Sequence, residues 1–178
     1  MRLLLIAPGY LPYTFSENLC NGKLAYAMYK KGWLVDVLSK VDEGPAYSTE
    51  WTEPWLPLKK NNITITYPVG GKLTRMWDVL RSSVKLGMYP EGGVRWACRA
   101  YELALKLCKE NHYDAVLTRS PSDIPHIIGL RLKEKLGIRW IANWNDPAAP
   151  IWPEPYTHHF SAKEQARKDQ FTQMCLKG

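Results

Sequence analysis

The sequence RLLLIA at residues 2–7, closed by Pro8-Gly9, and the sequence LVDVLS at residues 34–39 decide the fold of this chain. A short apolar run bounded by turn residues is typical of a strand that is buried on both faces of a parallel sheet. Between the two runs, residues 17–31 have a helical pattern that follows Ser16 and ends at Gly32. Residues 1–39 therefore predict a βαβ unit with a right-handed crossover, and residues 2–7 are its central strand.

The alternation of strands and helices continues along the chain after a long irregular stretch at residues 41–62. Residues 63–69 predict a strand near an edge of the sheet, because Pro68 lacks a backbone donor. The whole pattern predicts one α/β domain over residues 1–178, Rossmann-like, with a parallel, doubly wound sheet. Two more strands are predicted at residues 114–118 and 139–143, and four helices at residues 72–87, at residues 94–111, from a cap at Asp123 to Gly137, and from the capping box Ser161-x-x-Glu164 to about residue 176.

The composition favours a cytoplasmic protein with anionic partners. The 178 residues are 46% apolar, which is enough for one core, and the four cysteines lack C-x-x-C spacing, so buried free thiols are expected. The longest uninterrupted apolar run, residues 3–7, is too short for a membrane span or a secretory signal. The net charge of +7 suits phosphates, nucleic acid or an acidic membrane surface. Nucleic acid is not expected, because the basic residues are spread over several elements and match no binding motif.

Several well-known site motifs are missing from the sequence. It contains no G-x-G-x-x-G after the first strand and no P-loop, which argues against a dinucleotide or nucleoside triphosphate held in the usual way. It also contains no H-E-x-x-H, G-x-S-x-G or paired C-x-x-C motif. The adjacent pair His158-His159 is expected to be solvated, since neighbouring side chains seldom chelate one ion. No metal and no cofactor are predicted.

Ligands of a doubly wound sheet bind outside the carboxyl ends of the strands, where the following loops converge. That rule selects residues 8–18, 119–126 and 143–152 as the candidate binding segments. The helices predicted to begin near Glu17 and Asp123 would direct backbone N–H groups into the same crevice, which suits a phosphate or a sugar hydroxyl.

Two stretches of sequence carry a family resemblance. The first comprises MRLLLIAPGYLP, a helix that ends in AMYKKGW, and LVDVLS, and the second is YDAVLTRSPSDIPHIIGLRLKEKLGIRWIANWNDP. In order and spacing they resemble the opening and the fourth and fifth strands of family 4 retaining glycosyltransferases of the two-domain GT-B type. The matched segments cover well under half of the chain. The resemblance implies transfer of a sugar from a nucleotide-sugar donor, with retention, to a sugar acceptor or a lipid-linked precursor of a cell-envelope polysaccharide.

The resemblance also implies that the chain is the acceptor-side half of such an enzyme. The family binds its nucleotide sugar mainly through a C-terminal domain with two glutamates eight positions apart, and this chain contains no such domain. A truncated protein without turnover of its own is therefore expected. The residues leave a second interpretation open, which is a non-catalytic Rossmann-like or flavodoxin-like module that binds an anion or a partner.

By position, the resemblance assigns His126 and Asp146 to catalysis near the transferred sugar. The alternatives are a helix-facing histidine and a turn cap. Arg119 is expected to hold a phosphate or an acceptor oxygen, or alternatively to form a surface ion pair. We expect Arg119, His126 and Asp146 to share one cleft, because all three follow strand ends. The residues predicted to bind substrate are Gly9, Ser16, Glu17, Asn18, Arg119, Ser120, Asn143 and Asn145, with a helix cap as the alternative for Ser16.

Residues 72–87 predict a basic amphipathic helix. One interpretation places it on an anionic membrane surface, at the inner face of the membrane, where each basic residue contributes roughly 1 kcal/mol. The other interpretation is a solvated helix whose apolar stripe, including Met76 and Leu80, packs inward on the sheet. Both hold if the stripe faces inward while the charges and Trp77 face outward. The residues predicted to face a membrane are Lys72, Arg75, Trp77, Arg81 and Lys85.

Overall fold

The described strands and helices follow one another in the order that the sequence predicts. The computed structural model describes residues 1–11, 16–42, 60–65, 71–87, 94–120, 123–145 and 160–177. The described strands are β1 (Arg2–Ile6), β2 (Leu34–Asp42), β3 (Lys60–Ile65), β4 (Ala115–Arg119) and β5 (Trp140–Asn143), and the described helices are α1 (Ser16–Lys30), α2 (Lys72–Leu86), α3 (Val94–Glu110), α4 (Ile124–Leu136) and α5 (Ala162–Lys177).

The five described strands form one parallel sheet in the order β3-β2-β1-β4-β5. β1 lies at the centre, with Leu4 opposite Asp36 on one side and Val116 on the other. The predicted parallel sheet, its central first strand and its third strand at an edge are confirmed. The predicted start of the third strand was wrong, because β3 begins at Lys60: backbone pairing along an edge strand does not require apolar side chains. The remainder of that prediction, residues 66–69, lies outside the described residues.

Helices cover both faces of the sheet, so the doubly wound arrangement is confirmed. On one face, Leu5, Val37 and Leu117 pack with Ala25 of α1. On the other face, strand residues such as Leu4 pack against α3 and α4. The chain therefore changes face between β3 and β4, and the carboxyl ends of β1 and β4 form the switch point at which such sheets bind ligands. The helical residues of this second core include Trp96, Ala100, Ile127, Ile128 and Leu132.

Helix α2 packs on α3 and α4 rather than on the sheet. Its buried residues are Ser82 and Leu86, and Arg131 of α4 donates from Nε to the Leu86 carbonyl over 2.7 Å. The expectation that the apolar stripe of this helix faces inward was wrong. The reason is that α3 occupies the adjacent face of the sheet, which leaves α2 in an outer position. No helix among the described residues has the length and apolar character needed to cross a bilayer.

A polar network ties the amino edge of the sheet together. The Arg2 guanidinium lies 2.8 Å from the buried Asp36 carboxylate and 3.0 Å from Asn111 Oδ1. Tyr113 donates its hydroxyl to the same Asp36 oxygen over 2.6 Å, and its ring lies under the Arg2 guanidinium. Burial is the main reason that the pKa of Tyr113 is raised, and the hydrogen bond to the Asp36 carboxylate raises it further. The network therefore joins β1, β2 and the entry to β4 through charge-assisted hydrogen bonds.

Trp140 lies directly against the backbone of α4. A Cβ atom built on Gly129 would be 2.1 Å from Trp140 Nε1 and 2.7 Å from Thr118 Cγ2, which is closer than real contacts allow. Trp140 Nε1 donates to Thr118 Oγ1 over 2.8 Å. Glycine at position 129 is thus what permits α4 to approach β4 and β5 so closely.

Two local predictions had different outcomes. The capping box is confirmed, since Ser161 N donates to Glu164 Oε2 over 2.9 Å and Glu164 N donates to Ser161 Oγ over 3.3 Å. Asp123 precedes α4 as predicted but makes no side-chain capping hydrogen bond, because its own backbone is already in the helical region.

The cysteines also differ from one another. Cys98 is buried, as expected, and burial raises the pKa of the half-buried Cys108 to about 11. Cys20 is exposed, so the expectation of burial was wrong there. It lies on the outer side of α1, away from Ala25 and the other buried positions of that helix.

Candidate functional site

The loop after β1 is held against the start of α1 by two asparagine side chains. Asn21 Nδ2 donates to the Gly9 carbonyl over 2.8 Å, and Asn18 Nδ2 donates to the Tyr10 carbonyl over 3.2 Å. A Cβ atom on Gly9 would lie 2.2 Å from Asn18 Oδ1, so this close approach requires glycine. Gly9 and Asn18 were predicted from the sequence as binding residues, whereas Asn21 was not. The available signal was an amide on the helix face that otherwise carries apolar residues.

Asn145 connects the start of α1 to the ends of β4 and β5. Its backbone N–H donates to Ser120 Oγ over 2.8 Å, and its side-chain Nδ2 donates to Glu17 Oε2. Ser120 is buried, and its own N–H donates to the Asn143 carbonyl over 3.3 Å. Three predicted binding residues, Glu17, Ser120 and Asn145, are therefore joined by hydrogen bonds although they come from distant parts of the sequence.

Arg119 extends from the last position of β4 beside the end of β5. Its Nη1 donates to Asn143 Oδ1 over 2.6 Å, and the two residues are opposite each other in the sheet. Among the described residues, its buried Nε has no hydrogen-bond partner. A half-buried guanidinium with donor capacity left over suits an oxyanion such as a phosphate or carboxylate.

His126 lies in the first turn of α4 and is completely buried. Its Nδ1 is 2.9 Å from Thr118 Oγ1, and its ring packs on Trp144 with the centroids 4.1 Å apart. Burial lowers the pKa of His126 from 6.5 to about 4, so the ring is neutral at pH 7. Its Nε2 is buried and has no partner within the described part of the chain. A ligand would reach this nitrogen only if the covering side chains moved.

The structure brings most, but not all, of the predicted residues together. Arg119 and His126 lie on opposite faces of the sheet, because His126 bonds Thr118 and successive strand residues point to opposite faces. The expectation that they share one cleft was therefore wrong. Asp146 lies outside the described residues, and Ser16 is an exposed residue at the start of α1. The residues grouped at the carboxyl edge, called the edge cluster below, are Glu17, Arg119, Ser120, Asn143 and Asn145.

Comparison with known proteins adds little about function. No family model matches the chain, and no curated protein matches it. It is similar to the C-terminal domain of a hydrogenase from Pyrococcus furiosus, with 17% identity and a TM-score of 0.49 over 80% of this chain and 90% of that one. It is also similar to a predicted subunit of a tRNA methyltransferase from Methanocaldococcus jannaschii, with 11% identity and a TM-score of 0.35 over 95% of this chain and 74% of that one. At such low identities and TM-scores, neither similarity indicates what the chain binds.

Proposed function

We propose that this chain is the acceptor-side, Rossmann-like half of a cytoplasmic retaining glycosyltransferase. The observation that carries the proposal is the edge cluster, which joins the start of α1 to the ends of β4 and β5 at the switch point. Its amide, carboxylate and hydroxyl groups can both donate and accept hydrogen bonds, as recognition of sugar hydroxyls requires. Arg119 adds a positive charge for a phosphate or an acceptor oxygen.

In this proposal the edge cluster holds the acceptor, and a second domain supplies most of the contacts to the nucleotide-sugar donor. Glu17 and Asn145 orient hydroxyl groups, while the loop at Gly9 lets its backbone approach the diphosphate closely. Asp146 is proposed to act near the transferred sugar, whereas His126, which is buried and on the opposite face of the sheet from Arg119, takes no part in the proposed site. The acceptor is a sugar or a lipid-linked precursor. No metal ion takes part in the proposed transfer.

Binding of small ligands to the chain tests this proposal directly. Glucose 1-phosphate, glucose and inorganic phosphate can be titrated separately while amide chemical shifts are recorded. We expect glucose 1-phosphate to shift residues of the edge cluster. The Asn145→Ala variant should bind it about fivefold more weakly, as loss of one hydrogen bond of roughly 1 kcal/mol implies. Gln165→Ala is the matched control, because the Gln165 side chain donates to Asp169 of the same helix, α5, over 2.9 Å.

A non-catalytic anion-binding module is the second candidate, and it is favoured by the burial of His126 and by the Arg119 Nε, which lacks a partner among the described residues. A module of this kind needs the charge of its ligand but not the sugar. Inorganic phosphate should then bind as tightly as glucose 1-phosphate, and Arg119→Gln should weaken both equally. If none of the three ligands shifts the edge cluster, or if Asn145→Ala binds glucose 1-phosphate as the wild type does, the acceptor site proposed here is wrong.

A further inference from the structure

An apolar stripe runs along the exposed side of α2. Five large side chains, at the 3-, 4- and 7-residue spacing of one helix face, are each between 52% and 75% exposed. The stripe, named the α2 stripe here, extends over roughly 16 Å at 1.5 Å per residue. Apolar patches of this kind mark interaction surfaces on soluble domains. The α2 stripe consists of Leu73, Met76, Trp77, Leu80 and Val84.

Positive charge borders the α2 stripe. The helix carries four basic residues and one acidic residue, Asp78, which is half-buried. Lys72 lies on one side of the stripe and Arg81 and Lys85 lie on the other, and all three are exposed, whereas Arg75 lies on the opposite side of the helix. Arg81 and Lys85 both contact Glu102 of α3, so this single carboxylate is shared by two cations. An excess of positive charge therefore surrounds the apolar side chains.

We propose that α2 docks on the surface of an anionic lipid bilayer, with the α2 stripe inserted at the level of the headgroups. A 15-residue helix that buries one apolar face and keeps cations at its borders matches an in-plane interfacial helix. Trp77, near the middle of the stripe, has the amphipathic ring favoured at this depth. The long stems of Lys72 and Lys85 can lie along the apolar layer while their ammonium groups reach the lipid phosphates.

The same charges disfavour a second copy of the chain as the occupant. In a symmetric dimer the same patch meets itself, so the basic border of one α2 would face the basic border of the other. Each chain also carries a formal net charge of +7, which adds long-range repulsion. An anionic bilayer satisfies both the apolar stripe and its border. The proposal concerns a surface separate from the edge cluster, and it holds or fails independently of sugar binding.

Flotation with vesicles tests the proposal on the chain as it is. The protein should float with vesicles that contain phosphatidylglycerol and stay behind with pure phosphatidylcholine. Replacing the stripe in the Leu73→Gln/Trp77→Gln/Val84→Gln variant should abolish flotation. Reversing border charges in Lys72→Glu/Arg81→Glu should weaken it at least about tenfold, given roughly 1 kcal/mol per cation. Salt at about 1 M should also weaken it, because it shortens the screening length to about 3 Å.

Matched controls separate the surface from general effects. Lys23→Glu/Lys135→Glu makes the same change in net charge at exposed sites on α1 and α4, and Leu176→Gln removes an equally exposed apolar residue from α5. Both controls should float like the wild type. Gln is a good helix former, and circular dichroism checks that each variant folds. Wild type that stays behind with anionic vesicles, or a stripe variant that floats equally well, overturns the proposal. A dimer in size-exclusion chromatography that the stripe variant dissociates would instead assign α2 to self-association.

Discussion

A single buried histidine makes the stability of this chain depend on pH. Burial lowers the pKa of His126 to about 4, whereas its ordinary value in an unfolded chain is 6.5. Between these values the unfolded chain binds a proton that the folded chain does not. The free energy of unfolding is therefore highest above pH 6.5 and falls as the pH decreases toward 4.

Urea unfolding at two pH values measures this effect. We expect the free energy of unfolding to be about 2 kcal/mol lower at about pH 5 than at about pH 7, from about 1.4 kcal/mol per unit over the window below pH 6.5. The His126→Gln variant should lose that part of the pH dependence. His112→Gln, which changes a side chain that is 92% exposed, should keep it. An unchanged pH dependence in His126→Gln would contradict the assignment.

The contacts of His126 could not be predicted from residue types alone. The sequence correctly placed it in the first turn of a helix that follows β4. It could not reveal that Thr118 and Trp144 enclose the ring, because these contacts depend on how α4 settles on the sheet. A role near a substrate and a role in packing both fit the same local sequence.

At the level of elements, Glu102 of α3 forms ion pairs with two residues of α2. This carboxylate accepts from Arg81 over 3.1 Å and also contacts Lys85. The groups are partly exposed, so each ion pair contributes no more than about 1 kcal/mol. Loss of the negative charge should loosen α2 while leaving α3 and the sheet in place.

Hydrogen exchange followed by mass spectrometry can detect this loosening. In Glu102→Gln we expect amides of α2 to exchange about two- to fivefold faster, which corresponds to roughly 0.5–1 kcal/mol. Glu110→Gln serves as the control, because Glu110 pairs with Lys106 of its own helix at 3.8 Å. If the amides of α2 exchange at the same rate in both variants, Glu102 does not anchor the helix.

Most element types followed from sequence pattern, but the environment of α2 did not. Apolar runs such as residues 2–7 identify buried strands directly, since each face of the sheet needs an apolar partner. The spacing of Met76, Trp77 and Leu80 identifies a helix with one apolar face. It does not say whether another element covers that face. Here α3 is closer to the sheet, and the apolar face of α2 remains exposed.

For the whole molecule, hydrogen bonds to Asp36 join the strands at the amino edge of the sheet, and those of the edge cluster join elements at the opposite edge. The buried carboxylate binds Arg2 of β1 and Tyr113, which precedes β4. In Asp36→Ala the Tyr113 hydroxyl loses its acceptor, and the Arg2 guanidinium loses its carboxylate partner and keeps Asn111 Oδ1. We expect the free energy of unfolding to fall by about 1–3 kcal/mol, the cost of leaving such a donor unpaired.

Urea denaturation measures this loss, and Asp114→Ala is the control. Asp114 also binds Arg2, but through the backbone N–H over 2.6 Å and from an exposed position. Its loss should cost less than that of Asp36. Equal stability of Asp36→Ala and the wild type would show that the network does not stabilise the fold.

The overall topology could be predicted from the sequence, whereas the connections within the edge cluster could not. Alternating strands and helices with right-handed crossovers leave few arrangements, and the observed order is one of them. The contact between Glu17 and Asn145 joins residues 128 positions apart. No local pattern signals such a pairing, and only the general rule about strand ends suggested that these residues would meet.

The close fit of Trp140 against Gly129 has a consequence for how this protein can change over generations. Any side chain at position 129 would occupy the volume of the indole ring. A replacement there becomes tolerable only after Trp140 has given way to a smaller residue, and that first step removes the donor to Thr118. Position 129 can therefore change only after position 140 has changed, and a change at position 129 made first gives a protein that packs poorly.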